Sequence, residues 1–260
     1  LLGLEPKLAA HIAWNTDASK YVKLDLPLKE GPTSHVPPAD LKSMLDVEFV
    51  EGVDLGSVRH IGRVFTVVEN AKGRRRLIFW PRDINDKMRG IGAHDIIGLD
   101  YPIEDILKAA DDLTAPNMWA SCFDLSISFN QCELDPEVRN FFCFRTPDGK
   151  HYRLRRMPMG STVAPGVMHA ITSMLAEKAA SEFPGVTSRA YVDNVRFLSA
   201  NRDDIVKVSK KFRQLCKKCN ISLNVEKENA PHQRGDFLGV FFDYRKQTMR
   251  LSDKMVSKVK

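Results

Sequence analysis

The segments MWASCFD (residues 118–124) and RAYVDNVRFLS (residues 189–199) decide the fold. The first is a short, mostly apolar run that ends in Asp124, as expected of a central strand with an acid at its tip. The second contains two β-rich runs separated only by Asp193 and Asn194, which both tolerate tight turns. We therefore predict two acids at strand ends, and they lie close together if the two strands are neighbours.

The rest of the chain reads as an α+β pattern of helices and antiparallel hairpins. Helical spacing predicts helices over 39–49, 102–113, 161–183 and 201–219, and Ser252 is expected to cap a further one. Hairpins are predicted from 61–69 with 76–80, 140–145 with 151–157, and 237–244 with 248–251. Four prolines at positions 27, 32, 37 and 38 indicate an extended lead segment over residues 1–36.

The helix predicted over 201–219 is amphipathic. Its apolar positions are expected to face inward: Ile205, Val208, Phe212, Leu215 and Cys219. Its opposite face is basic, which is typical of a solvated surface and is also compatible with contact to a phosphate backbone.

Composition narrows the class of protein. With 39 Lys and Arg against 33 Asp and Glu, the net charge is +6, which favours a polyanionic partner without identifying it. Five cysteines are an odd number in a chain too long to need disulfides, so we expect a reduced intracellular setting. Cys216 and Cys219 lack a second ligand pair, which disfavours zinc. No apolar run approaches the roughly 20 residues that span a bilayer, so no membrane partner is expected.

Two aspartates on neighbouring strand ends suit one kind of chemistry. Phosphoryl transfer from a nucleoside triphosphate uses two divalent ions about 3.5–4 Å apart, which need hard oxygen ligands. Magnesium is commonly held by one or two carboxylates together with substrate phosphates. The pattern alone leaves open whether Asp193 is such a ligand or only a turn residue.

Five sequence blocks in a fixed order help to decide whether Asp193 is a metal ligand or only a turn residue. They are FDLSISFNQ (123–131), RTPDG (145–149), MPMGSTVAP (157–165), YVDN (191–194) and FLG (237–239). In this order they resemble the successive motifs of reverse transcriptases of gypsy-like and related retroelements, over about 64–243. The resemblance implies a polymerase right-hand fingers-palm fold, with an antiparallel palm sheet flanked by helices and the thumb largely missing.

The resemblance also implies a domain layout. It consists of a lead segment (1–36), fingers (37–117, with the 140–160 hairpin), a palm (118–139 and 161–243), and a primer-grip end with the start of a thumb (244–260). A larger parent polyprotein or a partner is then expected to supply the thumb and ribonuclease H.

The resemblance implies roles for individual residues. Asp124, the main-chain carbonyl of Leu125 and Asp193 are similar to the metal ligands, for two Mg²⁺ or Mn²⁺ ions. Phe129 stands where the family places an aromatic ring that collides with a 2′-hydroxyl, which implies deoxynucleotide substrates. The implied catalytic residues are Asp124, Asp193, Asn194 and Lys227; the nucleotide-binding residues are Lys72, Arg76, Leu125, Phe129, Met159 and Gly160; and the primer grip is Phe237, Leu238 and Gly239.

The implied partners are an RNA template, a DNA or RNA primer and dNTPs. The expected intracellular setting is the cytoplasm, the nucleus or an organelle. One position departs from the family pattern, because most members have a second aspartate where this chain has Asn194. Asparagine keeps an oxygen ligand but removes a negative charge near the cations. An alternative is therefore a weakened or repurposed domain that binds nucleic acid or protein. An RNA-directed RNA polymerase is disfavoured by Phe129.

Overall fold

The structure, a computed structural model, describes residues 6–26, 31–69, 74–90, 115–126, 128–224 and 230–259. The helices in these ranges are α1 (Pro6–Thr16), α2 (Ser19–Val22), α3 (Pro38–Asp46), α4 (Arg82–Gly90), α5 (Pro136–Arg139), α6 (Ala164–Ala180), α7 (Arg202–Lys218) and α8 (Asp253–Val259). The strands are β1 (Val50–Gly52), β2 (Arg63–Glu69), β3 (Arg74–Trp80), β4 (Trp119–Asp124), β5 (Cys143–Arg145), β6 (His151–Leu154), β7 (Thr187–Tyr191), β8 (Asn194–Ser199), β9 (Arg234–Phe237), β10 (Val240–Asp243) and β11 (Thr248–Leu251). Short 3₁₀ helices lie at Leu55–Ser57 and Ser128–Gln131.

The chain divides into two compact units. Unit 1 comprises 1–99 and 128–168, and unit 2 comprises 100–127 and 169–260. Within the described ranges, each unit holds two antiparallel sheets: β1-β6-β5 and β2-β3 in unit 1, and β4-β8-β7 and β9-β10-β11 in unit 2. This mixed architecture confirms the predicted α+β class.

The sheets of unit 1 contain two of the predicted hairpins. β2 pairs with β3 over seven residues, from Arg63 opposite Trp80 to Glu69 opposite Arg74. β5 pairs with β6, and Gly149 closes the turn between them at φ +81°, where its amide donates to the Thr146 carbonyl. A glycine suits this conformation because it has no Cβ.

Aromatic rings from distant segments form the core of unit 1. The ring of Tyr21 in α2 stacks on Phe141 and meets Phe142 edge-on, with centroids 5.3 and 5.5 Å apart. Its buried hydroxyl donates to the Trp14 carbonyl at 2.9 Å. Phe142 in turn contacts Phe79 of β3. Residues of the lead segment are therefore part of the core. The burial of their apolar surface and the contacts between aromatic rings stabilise this packing.

This packing corrects the prediction for the lead segment. The four prolines indicated an extended chain over 1–36, but residues 6–16 and 19–22 are helical. All four prolines follow these helices, so they do not interrupt them. The helix predicted over 102–113 lies outside the described residues.

In unit 2, β4 is buried on both faces. On one face Phe123 contacts Phe197 of β8 and Phe212 of α7, with ring centroids 6.0 and 5.0 Å apart, in a core to which α6 also contributes. On the other face Ala120 and Cys122 pack with residues of the β9–β10 hairpin. Burial on both faces explains why this strand reads as a nearly continuous apolar run rather than an alternating one.

The inward face of α7 differs from the prediction at one position. Cys219 is exposed, because the helix ends at Lys218 and Cys219 is only its C-cap. Cys216 takes the inward position instead, four residues after Phe212, and burial raises the pKa of its thiol to about 12. Cys216 therefore serves as an apolar core residue.

Among the described residues, no helix combines the length and apolar character needed to cross a membrane.

The third predicted hairpin is a three-stranded meander. The run predicted as one strand over 237–244 turns back at Leu238 and Gly239, because Phe237 pairs with Val240. Leu238 has φ +51° and Gly239 has φ +84°, the backbone of a two-residue type I′ turn. Ser252 caps α8 as predicted, since its hydroxyl accepts from the Met255 amide at 3.3 Å.

A buried arginine joins this meander to β8. The Arg196 guanidinium lies over the rings of Phe237 and Phe242, 4.7 and 4.8 Å from their centroids, and donates to the Tyr244 hydroxyl at 3.0 Å. Only 1% of Arg196 is exposed. Stacking against aromatic faces and a hydroxyl acceptor stabilise the buried guanidinium.

Two glycines of unit 1 make a matched test of backbone geometry. A Cβ on Gly149 would meet nothing within 4 Å, whereas a Cβ on Gly160, at φ +112°, would lie 2.2 Å from the Phe79 carbonyl oxygen. We expect Gly149→Ala to cost about 1–2 kcal/mol of unfolding free energy, and Gly160→Ala roughly 3 kcal/mol or more, because a steric clash is added. Urea denaturation of the two variants measures the difference, and equal losses would contradict it.

Candidate active site

The predicted acids lie at the end of β4 and in the loop directly before its neighbour β8. The antiparallel register sets Asp124 opposite Asn194. One residue beyond β4, the Leu125 amide donates to the Asp193 carbonyl at 2.9 Å. In such a ladder the Cβ atoms of opposite residues, here Asp124 and Asn194, lie about 4.5–5.5 Å apart. Asp124 therefore ends β4, Asp193 directly precedes the paired strand β8, and both residues are half-buried.

The turn between β7 and β8 is one residue earlier than predicted. Tyr191 pairs with Asn194, so Val192 and Asp193 form the two-residue loop, and Asn194 is the first residue of β8. The prediction assigned the turn to Asp193 and Asn194 because those residue types tolerate tight turns. Instead Val192 takes the left-handed conformation at φ +54°. A β-branched residue pays roughly 1–2 kcal/mol for this.

Side chains of α6 bind both main-chain groups of Val192. The Val192 amide donates to Nδ1 of His169 at 3.3 Å, and the Thr172 hydroxyl donates to the Val192 carbonyl at 2.6 Å. Thr172 is fully buried. The strained turn is thus held by specific hydrogen bonds from a packed helix.

Each aspartate also receives a hydrogen bond from an asparagine amide. Nδ2 of Asn194 donates to Oδ1 of Asp193 at 2.8 Å, and Nδ2 of Asn224 donates to Oδ1 of Asp124 at 3.4 Å. The Asn224 main-chain amide donates to the Asp124 carbonyl at 2.8 Å, which brings the 222–224 segment alongside the end of β4. These bonds restrict the rotation of both carboxylates.

The donor set fits hard divalent cations. Asp124 and Asp193 supply carboxylate oxygens, and Mg²⁺ is commonly held by one or two carboxylates that leave room for water and substrate phosphates. A carboxylate has about four lone-pair sites, so one amide donor does not exhaust it. Among the described residues, no group of three or more His, Cys, Asp or Glu side chains is placed to hold a metal ion.

In unit 1, three of the predicted nucleotide-binding residues come together. Nη1 of Arg76 in β3 lies 3.9 Å from Sδ of Met159, and the Met159 carbonyl accepts from the Phe79 amide at 3.1 Å. Asn85 of α4 fixes the adjoining turn. Its side-chain amide donates to the Gly160 carbonyl at 2.9 Å, and its side-chain oxygen accepts from the Thr162 main-chain amide at 3.0 Å. Gly160 is needed here, because any Cβ would collide with the Phe79 carbonyl.

The remaining predicted residues are distributed as follows. Phe129 is half-buried in the 3₁₀ helix Ser128–Gln131 of unit 1. Leu238 and Gly239 form the turn between β9 and β10, and Phe237 is buried beneath Arg196. Lys72 and Lys227 lie outside the described residues.

Sequence reasoning missed four residues at these sites: Asn85, His169, Thr172 and Asn224. His169 and Thr172 are three residues apart in a predicted helix, which places them on one face. Nothing in that spacing says that the face meets a turn twenty residues later. The two asparagines have partners that are 75 and 100 residues away in the chain, so no local pattern could identify them.

Comparison with known proteins identifies one family model and relatives that are polyproteins. A family model described as reverse transcriptase (RNA-dependent DNA polymerase) matches residues 70–242. The Pol polyprotein of transposon 412 from Drosophila melanogaster is 27% identical over 171 residues, which are 65% of this chain and 12% of that polyprotein. The genome polyprotein of Petunia vein clearing virus is 24% identical over 174 residues, 67% of this chain and 7% of that polyprotein.

Solved structures give the fold. The foamy viral protease-reverse transcriptase in complex with double-stranded DNA aligns with a TM-score of 0.64 at 15% identity, covering 89% of this chain and 38% of that one. Its complex with an RNA/DNA hybrid aligns with a TM-score of 0.62 at 15% identity, covering 89% of this chain and 29% of that one. This likeness confirms the predicted fingers-palm polymerase fold.

The asparagine contacts make cation affinity sensitive to Asn224. We expect Asn224→Ala to weaken Mn²⁺ binding about threefold, because the Asp124 carboxylate loses a long hydrogen bond whose net contribution is about 0.5–1 kcal/mol. Titration of free Mn²⁺ by electron paramagnetic resonance measures the affinity. Gln214→Ala, which removes an exposed amide from α7, is the control and should leave the affinity unchanged. An equal affinity in Asn224→Ala and the unmodified chain would contradict the assigned contact.

Proposed function

Since the chain belongs to the reverse transcriptase family, we propose that it catalyses RNA-directed DNA synthesis, extending a primer with dNTPs. The observation that carries the proposal is the register that sets Asp124 opposite Asn194, with Asp193 bonded through its carbonyl to the Leu125 amide. Two acids at adjoining strand ends are the protein part that phosphoryl transfer requires.

The proposed metal ligands are Asp124, Asp193 and the Leu125 carbonyl. Two divalent cations held there would supply charge neutralisation and activation of the primer 3′-hydroxyl. The chain itself contributes orientation. Asn194 and Asn224 each restrict one carboxylate, and the β4–β8 ladder keeps the two strand ends adjacent. Such preorganisation is worth most where charge develops in the transition state.

Residues of unit 1 are proposed to bind the nucleotide. The Arg76 guanidinium suits a triphosphate because its planar fork donates two hydrogen bonds at once, and Lys72 is the proposed helper. The Met159–Gly160 turn offers a main chain without a Cβ, which allows close approach of a ligand. Phe129 is proposed to exclude the 2′-hydroxyl, and Lys227 to protonate the leaving pyrophosphate.

The nucleic-acid partners follow from charge and from the relatives. A net charge of +6 favours a polyanion, and the similar foamy viral protein has been captured with double-stranded DNA and with an RNA/DNA hybrid. We propose an RNA template and a DNA or RNA primer. The Phe237–Gly239 turn is the proposed primer grip, and Arg196 holds it against β8.

The chain spans 7–12% of the length of the curated relatives. Those relatives are polyproteins, so we propose that a larger polyprotein supplies the thumb and ribonuclease H.

Asn194 supports a second candidate function, a repurposed domain that binds nucleic acid without catalysis, because one negative charge is absent beside Asp193.

Primer extension on an RNA template tests the proposal. We expect extension with dNTPs in Mg²⁺ or Mn²⁺, and we expect Asp124→Ala or Asp193→Ala to lower the rate by roughly 10³-fold or more, because a metal ligand is lost. The control is Asp46→Ala, which removes an exposed carboxylate paired with Lys42 and should leave the rate unchanged.

Three outcomes separate the candidates. Equal extension by the unmodified chain and Asp124→Ala would refute the assigned site. Template binding without extension in either metal would favour the repurposed domain. Substitution of rNTPs for dNTPs tests the substrate class, and Phe129→Ala should then admit ribonucleotides, whereas unchanged selectivity would count against the proposed gate.

Restoring the usual family charge should raise activity. We expect Asn194→Asp to fold and to raise Mg²⁺-dependent extension several-fold, because a negative charge is added where the cations bind. It also replaces the amide that donates to Asp193 with a like charge, so stability without divalent ions should fall by about 1 kcal/mol. Extension rates and thermal unfolding with and without MgCl₂ measure both effects.

Asn201→Asp is the matched control for this charge change. Asn201 caps α7 and accepts from the Asp203 amide at 2.9 Å, a bond that an aspartate retains. Its extension rate should equal that of the unmodified chain. A large loss of Mg²⁺-dependent activity in Asn194→Asp, with Asn201→Asp unaffected, would show that the asparagine is required as it stands.

A further inference from the structure

The tip of the β7–β8 hairpin combines a strained residue with a proposed metal ligand. Val192 has φ +54°, and the next residue is Asp193. The branched Cβ of valine makes this left-handed conformation unfavourable, whereas glycine adopts it freely. A flip of Val192 to an extended conformation would redirect the chain at Asp193, so the direction of that carboxylate depends on whatever stabilises Val192.

Two side chains of α6 supply that stabilisation. Thr172 donates from its hydroxyl to the Val192 carbonyl at 2.6 Å, and His169 accepts from the Val192 amide at 3.3 Å. The second ring nitrogen of His169 lies 3.5 Å from the Ser173 hydroxyl. Because the Val192 amide can only donate, Nδ1 of His169 must be the acceptor, and the ring proton is assigned to Nε2.

The helix that carries these side chains is fixed to the same sheet. Leu175, Ala176 and Ala179 of α6 are buried in the core that contains Val195 and Phe197 of β8. On its other side, the hairpin is bonded through the Asp193 carbonyl to the Leu125 amide. The main chain on both sides of the Val192–Asp193 peptide is therefore held by groups that the packing of unit 2 immobilises.

We propose that His169 and Thr172 are positioning residues for DNA synthesis, which hold Val192 in its left-handed conformation and thereby direct the Asp193 carboxylate. The inference rests on the proposed function. Neither residue is among the proposed metal ligands. Their action is on the turn alone, so it should alter the chemical step more than substrate binding.

Isosteric substitutions test the two contacts. Thr172→Val removes the hydroxyl and keeps the shape, whereas Thr172→Ser retains the donor. We expect Thr172→Val to lower kcat about tenfold, with KM for dNTP and primer changed less than twofold, and Thr172→Ser to recover most of kcat. Similarly, His169→Leu should lower kcat, and His169→Asn should recover part of it, because the amide oxygen can replace Nδ1 as acceptor.

A glycine background shows whether the effect passes through Val192. Glycine needs no help to adopt a positive φ, so in the Val192→Gly background Thr172→Val should lower kcat less than threefold. Equal effects of Thr172→Val in both backgrounds would overturn the inference, because the hydroxyl would then act elsewhere. Ser181→Ala removes a hydroxyl bond to a carbonyl near the end of α6 and should change nothing.

Amide hydrogen exchange gives a readout that does not depend on catalysis. Exchange in a peptide covering 189–196 should accelerate about tenfold in Thr172→Val and His169→Leu but not in Ser181→Ala. If the unmodified chain extends no primer, the proposed function fails, and this measurement still tests the turn. If the chain extends primers and neither kcat nor exchange responds in Thr172→Val, the positioning role is wrong and the proposed function stands.

Discussion

The pairing of β4 with β8 is the constraint on which the rest of the site depends. It sets Asp124 opposite Asn194 and leaves the Asp193 carbonyl bonded to the Leu125 amide. A slip of one residue would turn every side chain of β4 to the opposite face. The packing of Phe123 against Phe197 and Phe212 opposes such a slip, since it would remove two buried aromatic contacts. The aromatic core next to the site therefore determines which residues occupy it.

The asparagine at position 194 makes this arrangement less negative than an aspartate would. An aspartate there would repel Asp193 in the absence of cations, whereas the Asn194 amide donates to Asp193 at 2.8 Å. Asn224 makes a longer contact of the same kind to Asp124. At position 194 a neutral donor thus stabilises the Asp193 carboxylate in the absence of cations, but it attracts cations less than an aspartate would. Asn194→Asp would add repulsion of Asp193 and attraction of cations at the same time. For this reason we expect it to lower stability without divalent ions and to raise Mg²⁺-dependent activity.

Local patterns predicted the parts of the fold that depend on local chemistry. The β4 strand, the β2–β3 hairpin and the Ser252 cap follow from apolar runs, turn residues and capping residues. The turn at Val192 was displaced by one residue because preference for Asp and Asn in turns was outweighed by hydrogen bonds from α6, a contact between distant segments. The helices of the lead segment were missed for a related reason, since Tyr21 and its aromatic partners form a core that no window of sequence reveals.

Two apolar residues have positive φ, and each lies next to a proposed functional group. Among the described residues, seven other than glycine have positive φ, and five of these are Asp, Glu, Asn or Gln. The other two are Val192 and Leu238, one beside the proposed metal ligand and the other in the proposed primer grip. Apolar side chains gain no local hydrogen bond in this conformation, so their strain must be offset by the surrounding structure. Hydrogen bonds from His169 and Thr172 do so at Val192, while at Leu238 the turn is closed by β9 and β10. Strained backbone of this kind clusters at functional sites, so both turns are places where a functional role would be expected.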